Sequence, residues 1–340
     1  MLPYLREPGT SFQIGRPTAV PNPVQYFLGM PAIINSIAMR NLMETVQKVA
    51  RTSAAVLITG ESGTGKELIA RALHHYSMRC SKPFVDISCA ALPEHLAESE
   101  LFGYDKGAFS GADVPKPGLF EMAHTGTLFL DEIGELETKM QVKLLQVLDG
   151  TPYYRLGGTR KVAADTRIVA ATNQNLEAMI GQGRFRNDLF HRLTQFHMKL
   201  PPLRDRLEDI RPLAEFFLAQ QNPEMCFTPP ALERLRRHTW PGNVRELRNV
   251  VIKSAVLTRD QMIGPQDLPE AFHQANNATE PSPHTLDGME RQMIISALSQ
   301  NGGHHQRAAE KLGISRRTLS RKLKLYGRDD LMEPDDFERQ

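Results

Sequence analysis

Cysteine is nearly absent from this chain. There are three among 340 residues, Cys80, Cys89 and Cys226. None stands at a metal-ligand spacing from another, and three cannot build a disulfide framework. A reducing, cytoplasmic setting is expected. Also missing is any uninterrupted apolar run of the ~20 residues that a helix needs to cross a bilayer. The N-terminus has no charged-then-apolar signal pattern. A membrane partner is therefore not expected. Net charge is scarce too, only +2 with 24% of residues charged, so any charged partner must be met by a local patch. The length suffices for one large domain and a small one.

What is present is organised around Val56–Glu67, which reads VLITGESGTGKE. The apolar, β-branched start is a buried strand. It runs through Gly60, Glu61, Ser62, Gly63, Thr64 and Gly65 into Lys66, Glu67 and the helical Leu68–Leu73. Glycines let the backbone curl until its N–H groups converge on an anion. The helix N-terminus adds partial positive charge and Lys66 a full one. The spacing fits G-x-x-x-x-G-K, a phosphate loop for a nucleotide. The Ser/Thr that usually follows the lysine, a hydroxyl ligand for Mg²⁺, is lacking, because Glu67 stands there.

A second apolar strand, Gly126–Glu132, ends in two carboxylates. In a parallel sheet, strand C-termini and helix N-termini open on one edge. Asp131 is thereby assigned to Mg²⁺, and Glu132 to orienting the water that attacks the γ-phosphate. By the same edge argument, the strand Arg167–Asn173 brings Thr172 and Asn173 to face the γ-phosphate, where they could sense it.

Residues 1–27 carry five prolines and little periodicity, and a poorly ordered leader is expected. A helix is expected over Ile33–Ala50, a strand over Pro83–Cys89 and a helix over Ala97–Phe102. Gly107, Ala108, Phe109, Ser110, Gly111 and Ala112 form a small, flexible segment with one large apolar side chain. Phe109 either folds back on its domain or stands out to grip a partner, and spacing alone leaves the two level. The segment Phe185–Leu193 reads as a helix, with Arg186 and Arg192 six residues apart on different faces. In a ring of subunits they could reach a neighbour's γ-phosphate. Pro201–Arg204 marks a boundary. Beyond it a helical pattern breaks at Trp240 and restarts at Val244, Leu247, Val250 and Val251, with Arg245 off that stripe.

Residues 271–284 read as a linker. The segment 285–328 shows three helix signals, the last two joined by Leu312-Gly313-Ile314-Ser315, the short turn of a helix-turn-helix. It holds nine basic and three acidic residues, a net +6, and six of the nine lie in or just past the last helix. That is the footprint of a helix that reads double-stranded DNA, and Arg316, Arg317, Thr318, Ser320, Arg321 and Lys322 are its candidate contacts. Residues 329–340 are an acidic tail.

Together these pieces resemble the bacterial enhancer-binding proteins, the AAA+ activators of sigma-54 RNA polymerase. The resemblance covers roughly residues 28–327. GESGTGKE looks like that family's Walker A, in which Glu after Lys is normal, and Gly126–Glu132 like its Walker B. GAFSGA, residues 107–112, is similar to its GAFTGA loop, which contacts sigma-54, and this favours the partner reading of Phe109. Arg186 and Arg192 match its arginine fingers, Thr172 and Asn173 its first sensor and Arg245 its second. The implied fold is an α/β AAA+ P-loop NTPase, a parallel sheet with helices on both faces (28–203), with a helical lid subdomain (204–270) and a C-terminal all-α helix-turn-helix domain of Fis type (285–328). The implied function is an ATP-hydrolysing activator that binds upstream DNA, assembles as a ring-shaped homo-oligomer, taken as a hexamer, and remodels sigma-54 RNA polymerase to open promoters. Another AAA+ remodelling ATPase, or a DNA-binding regulator with an inert ATPase, is the alternative. Two positions depart from the family. Ser110 stands for Thr, losing a methyl. Ser88 stands for an Asn that restrains the Walker B glutamate, and serine only partly replaces an amide.

Overall fold

The computed structural model describes residues 24–258, 260–272, 293–294, 296–298 and 304–325. It divides into two compact units, with the boundary after His273.

The first unit is built on five parallel strands: β1 (Val56–Thr59), β2 (Phe84–Ser88), β3 (Thr127–Asp131), β4 (Arg167–Thr172) and β5 (Phe196–Lys199). Their spatial order is β5-β1-β4-β3-β2. Successive side chains of a strand point to opposite faces, and the core splits accordingly. Leu57, Leu128, Leu130, Ile168 and Ala170 enter one apolar cluster, while Val56, Ile58, Phe129, Val169 and Ala171 enter the other. A sheet covered on both faces needs such near-continuous apolar strands. Helices α1 (Ile37–Ala50) and α2 (Lys66–His75) cover the second face. Helices α3 (Glu94–Phe102), α4 (Thr138–Leu148) and α5 (Asn187–Leu193) cover the first. Arg167, at the buried start of β4, donates to the carbonyls of Ala50 at 2.8 Å and Val49 at 3.0 Å. It thereby satisfies the open C-terminus of α1 with a cation.

Three helices, α6 (Ile210–Gln221), α7 (Pro229–Arg237) and α8 (Asn243–Leu257), make the lid around the buried Trp240. Its indole N–H donates to the Leu235 carbonyl at 2.9 Å. A short parallel pair, Cys226–Phe227 with Met262–Ile263, adds an element with no clear periodicity in the sequence.

In the second unit, α9 (His305–Leu312) ends on Gly313 in the left-handed region. Then α10 (Arg316–Leu325) starts on Ser315, whose Oγ accepts the Thr318 N–H at 3.1 Å. Leu319, Ala308, Ala309, Ile294, Ala297 and Leu298 form its core.

The structure differs from the sequence reading in several places. The helix expected from Ile33 begins at Ile37, because the extended Ser36 caps it and accepts the Met39 N–H. Gln25–Phe27 is not part of a loose leader. It pairs antiparallel with Met30–Ala32, because Phe27 is buried between the rings of His75 and Tyr76. The expected linker cannot begin at 271, since Phe272 stacks on His238 with ring centroids 4.4 Å apart inside the lid core. Arg186 is not within a helix but caps one in extended conformation. The leader before residue 24, the linker beyond 272, most of the first Fis-type helix and the tail 329–340 lie outside the described residues.

Candidate functional site

A cleft of about 650 Å³ opens between the sheet's carboxyl edge and the lid. Its floor is Ser62, Gly63, Gly65, Lys66 and Glu67, with Asp131 and Glu132 on the adjoining wall. The N-terminal hairpin contributes Leu28–Pro31, and the lid contributes Phe216, Phe217, Gln220, Val244, Arg245 and Arg248. One end is anionic-ligand chemistry and the other is apolar and aromatic, which suits a phosphate chain carrying a planar base.

Lys66 donates to the carbonyl of Gly60 at 3.0 Å. Burial pushes its ammonium below the ordinary value, the Glu132 and Asp131 carboxylates pull it back up, and Arg245 opposes them. Gly65 holds φ +103° as α2 begins, a conformation that only glycine adopts freely. Thr64 Oγ1 donates to the Glu61 carbonyl at 2.8 Å. Glu61 itself does not line the cleft. Arg204 grips its carboxylate with two contacts of 2.6 and 2.9 Å. The Arg204 and Asn243 hydrogen bonds hold its pKa down at about 2.

At the end of β3 the chain turns sharply, with Glu132 in the left-handed region at φ +52°, ψ +48°. Asp131 Oδ1 accepts the Glu132 N–H at 3.0 Å, and Glu132 Oε2 accepts the backbone N–H of Asn173 at 3.4 Å. Ser88 is the neighbour of Asp131 across β2 and β3, yet the bond to Glu132 comes from Asn173. Thr172 is fully buried, and its Oγ1 accepts the Gln174 N–H at 3.0 Å. Arg245 Nη1 donates to Ser62 Oγ at 2.8 Å. The oxygen donors suit Mg²⁺. Asp131 keeps one carboxylate oxygen free of the Glu132 amide. Among the described residues no three His, Cys, Asp or Glu form a closed metal cluster, and Mg²⁺ is characteristically held by one or two carboxylates together with substrate phosphates.

Neither Arg186 nor Arg192 lines the cleft. Arg186 forms a two-point pair with Asp188, at 3.0 and 2.5 Å. Arg192 bonds the Leu148 carbonyl at 3.1 Å and pairs with Asp149 at 3.1 Å.

The GAFSGA segment is the tip of a two-stranded ribbon, Gly103–Tyr104 against Lys116–Pro117. Gly107 N–H donates to the Ala112 carbonyl at 2.8 Å and closes the loop. Phe109 is 42% exposed and makes an edge contact with Tyr104, centroids 4.9 Å apart. A second hairpin, Tyr153–Tyr154 with Lys161–Val162, braces this tip and was not foreseen from sequence. Its Gly157 approaches so closely that a Cβ there would lie 2.8 Å from Ala108. Arg155 pairs with Glu121 at 2.6 Å and with Asp105 at 3.2 Å. The one sequence signal was the pair Gly157-Gly158 between two tyrosines and a valine. In the second unit Arg316, Arg317 and Arg321 are exposed along α10, with Arg317 and Arg321 on the face away from the buried Leu319.

Comparison with known proteins agrees with this geometry. The chain matches the Sigma-54 interaction domain over residues 32–199, the AAA+ ATPase lid domain over 204–285 and the Bacterial regulatory protein, Fis family, over 285–326. It is 46% identical to Regulatory protein AtoC of Escherichia coli (strain K12), with 87% of this chain and 68% of that protein covered. It is 43% identical to Nitrogen fixation protein AnfA of Azotobacter vinelandii, over 86% of this chain and 57% of that protein. Among solved structures it resembles NtrX from Brucella abortus in complex with ATP, with TM-score 0.65, 39% identity, and 87% of this chain and 69% of that one covered. The chain is therefore a member of the bacterial enhancer-binding proteins, AAA+ ATPases with a Fis-type helix-turn-helix that activate transcription from sigma-54 promoters.

Proposed function

We propose that ATP is hydrolysed in the cleft between the phosphate loop and the lid, and that subunits act as a ring, a hexamer by family resemblance. The observation that carries this is the convergence of Lys66, Asp131 and Glu132 on one cleft that also has an apolar, aromatic end. Lys66 and the loop amides neutralise the β- and γ-phosphates. Asp131 would hold Mg²⁺, which would supply positive charge to offset that of the phosphates. Glu132 orients the attacking water and accepts its proton. Its carboxylate lies beside the Asn173 amide, so movement of the γ-phosphate and movement of the Thr172–Asn173 turn are coupled. Arg245 on the lid reports the same phosphates to α8. Arg186 and Arg192 act on a neighbouring subunit, which their absence from the lining of their own cleft supports.

The GAFSGA loop delivers the output to sigma-54, and α10 reads upstream double-stranded DNA with Arg316, Arg317, Thr318, Ser320, Arg321 and Lys322. In this reading residues 25–203 and the lid up to Phe272 form the motor, and 285–328 the DNA-binding domain.

The test is promoter opening by sigma-54 RNA polymerase on a template carrying the upstream site. The parent chain should open it with ATP and Mg²⁺. Lys66→Ala should lose ATP binding and opening together, while Arg316→Ala with Arg317→Ala should lose site binding and keep ATP turnover. Undiminished turnover by Lys66→Ala would place the chemistry elsewhere.

A further inference from the structure

Three successive carbonyl oxygens of the phosphate loop are held from the lid side. Asn243 Nδ2 donates to Ser62 O at 3.0 Å. The Val244 N–H, one of the open donors at the start of α8, donates to Gly63 O at 3.0 Å. Arg206 Nη2 donates to Thr64 O at 2.7 Å. Both side chains are themselves fixed. Asn243 is fully buried at φ +52°, its Oδ1 accepts the Leu203 N–H at 2.7 Å, and its amide also reaches Glu61 at 3.1 Å. Arg206 is buried beside Asp209, which accepts Ser36 N–H at 2.6 Å, Ser36 Oγ at 2.8 Å and Asn35 N–H at 2.8 Å.

In a trans peptide the C=O of one residue and the N–H of the next point in opposite directions. Holding the carbonyls of Ser62 and Thr64 toward the lid therefore turns the Gly63 and Gly65 N–H groups the other way, into the cleft. It also keeps three negative carbonyl ends away from a bound polyphosphate. The fit leaves no slack, since a Cβ on Gly63 would lie 2.4 Å from the Gly242 carbonyl.

We infer that Asn243 and Arg206 are positioning residues that set the peptide planes of the phosphate loop, so that seating of the lid and affinity for nucleotide are one equilibrium. This deepens the nucleotide reading above and rests on it. Neither side chain lines the cleft, so they act through the loop and not on the ligand. Because coupling is reciprocal, nucleotide must tighten the lid seat as much as the seat tightens nucleotide. The contacts are to the loop that meets the inner phosphates, so ATP and ADP should depend on them alike.

The test uses the full chain and fluorescent ATP and ADP analogues, with amide hydrogen exchange of residues 61–66 measured without nucleotide. Asn243→Asp keeps the size and the acceptor for Leu203 but removes both donors. It should weaken ATP and ADP together by about tenfold, raise KM more than it lowers kcat, and speed loop exchange. Adding Glu61→Gln, which supplies a donor to the new carboxylate, should recover part of the affinity, an outcome that simple unfolding would not give. Arg206→Lys, retaining one charged donor, should bind between the parent and Arg206→Met. Parent-like affinity in Asn243→Asp, or equal affinity in the two Arg206 variants, would overturn the inference. If the parent itself bound no nucleotide, the functional reading would fall, and unchanged loop exchange in Asn243→Asp would then sink the clasp independently.

Discussion

Phe109→Ala should separate output from catalysis, and the structure sets the size of each effect. Fully burying a Phe side chain contributes about 1.5–3 kcal/mol. Phe109 is 42% exposed, so truncation forfeits only about half of that. The edge contact with Tyr104 adds roughly 0.5–1.5 kcal/mol. The sum, about 2 kcal/mol, is well below a domain's typical ~5–15 kcal/mol. A fully buried phenylalanine such as Phe120 would lose ~3–5 kcal/mol. The variant should therefore fold, hydrolyse ATP within about twofold of the parent and bind its DNA site unchanged, as the ribbon lies apart from the cleft lining. What it loses is the anchor. A buried aromatic hot spot is worth ~2 kcal/mol or more, which is about thirtyfold in capture of sigma-54. The assay is capture of sigma-54 in the presence of a transition-state analogue, followed by promoter opening. Ser110→Thr, which restores a methyl, should keep or improve capture. Promoter opening by Phe109→Ala equal to the parent would make Phe109 a packing residue and end the partner reading of this loop.

Two further outcomes follow from the same structure. Arg186→Ala should nearly abolish ATP turnover while leaving nucleotide binding, and mixing it with Glu132→Ala subunits should restore activity, each supplying what the other lacks; no recovery at any mixing ratio counts against action in trans. His74 is buried and bonded to Thr127 Oγ1 at 2.9 Å. Burial, helped by Arg167 and His75, holds its pKa below the ordinary 6.5. Below that pH the unfolded chain binds a proton that the folded chain refuses, so stability falls as acid is added and is recovered above it. His74→Gln should flatten the melting temperature between about pH 5 and 7, and a profile parallel to the parent's would remove His74 as the cause.

Much of this was readable in the sequence because it rests on local rules. Gly60, Gly63, Gly65 and Lys66 require one another's spacing, and apolar runs ending in Asp131 or Thr172 announce buried parallel strands. Gly313 and Ser315 announce the end of one helix and the start of the next. What escaped depends on partners far along the chain. Glu61 sits inside the phosphate-loop motif, yet its carboxylate is bonded to Arg204 and Asn243 at the lid. The hairpin ending in Ala32 has three-residue strands, too short for any periodicity, and forms because Phe27 finds α2. Residues Tyr153–Val162 pair for the same kind of reason, against a loop some fifty positions earlier.

The least readable feature is backbone strain, and its location argues for what it does. Non-glycine residues avoid the left-handed region at roughly 1–2 kcal/mol each. Five described residues adopt it: Leu28, Thr125, Glu132, Trp240 and Asn243. Leu28 and Glu132 line the cleft, and Asn243 holds the loop beneath it. Such conformations persist only where the surroundings over-determine them. For Glu132 that role falls to Asp131 and the Asn173 amide, and for Asn243 to Leu203, Ser62 and Glu61. A relaxed extension of β3 would carry the Glu132 carboxylate on along the strand. The turn instead keeps it against Asn173, beside Asp131 on the wall facing Lys66. In the proposed mechanism the strain aims the one group that meets a water molecule in line with a phosphate.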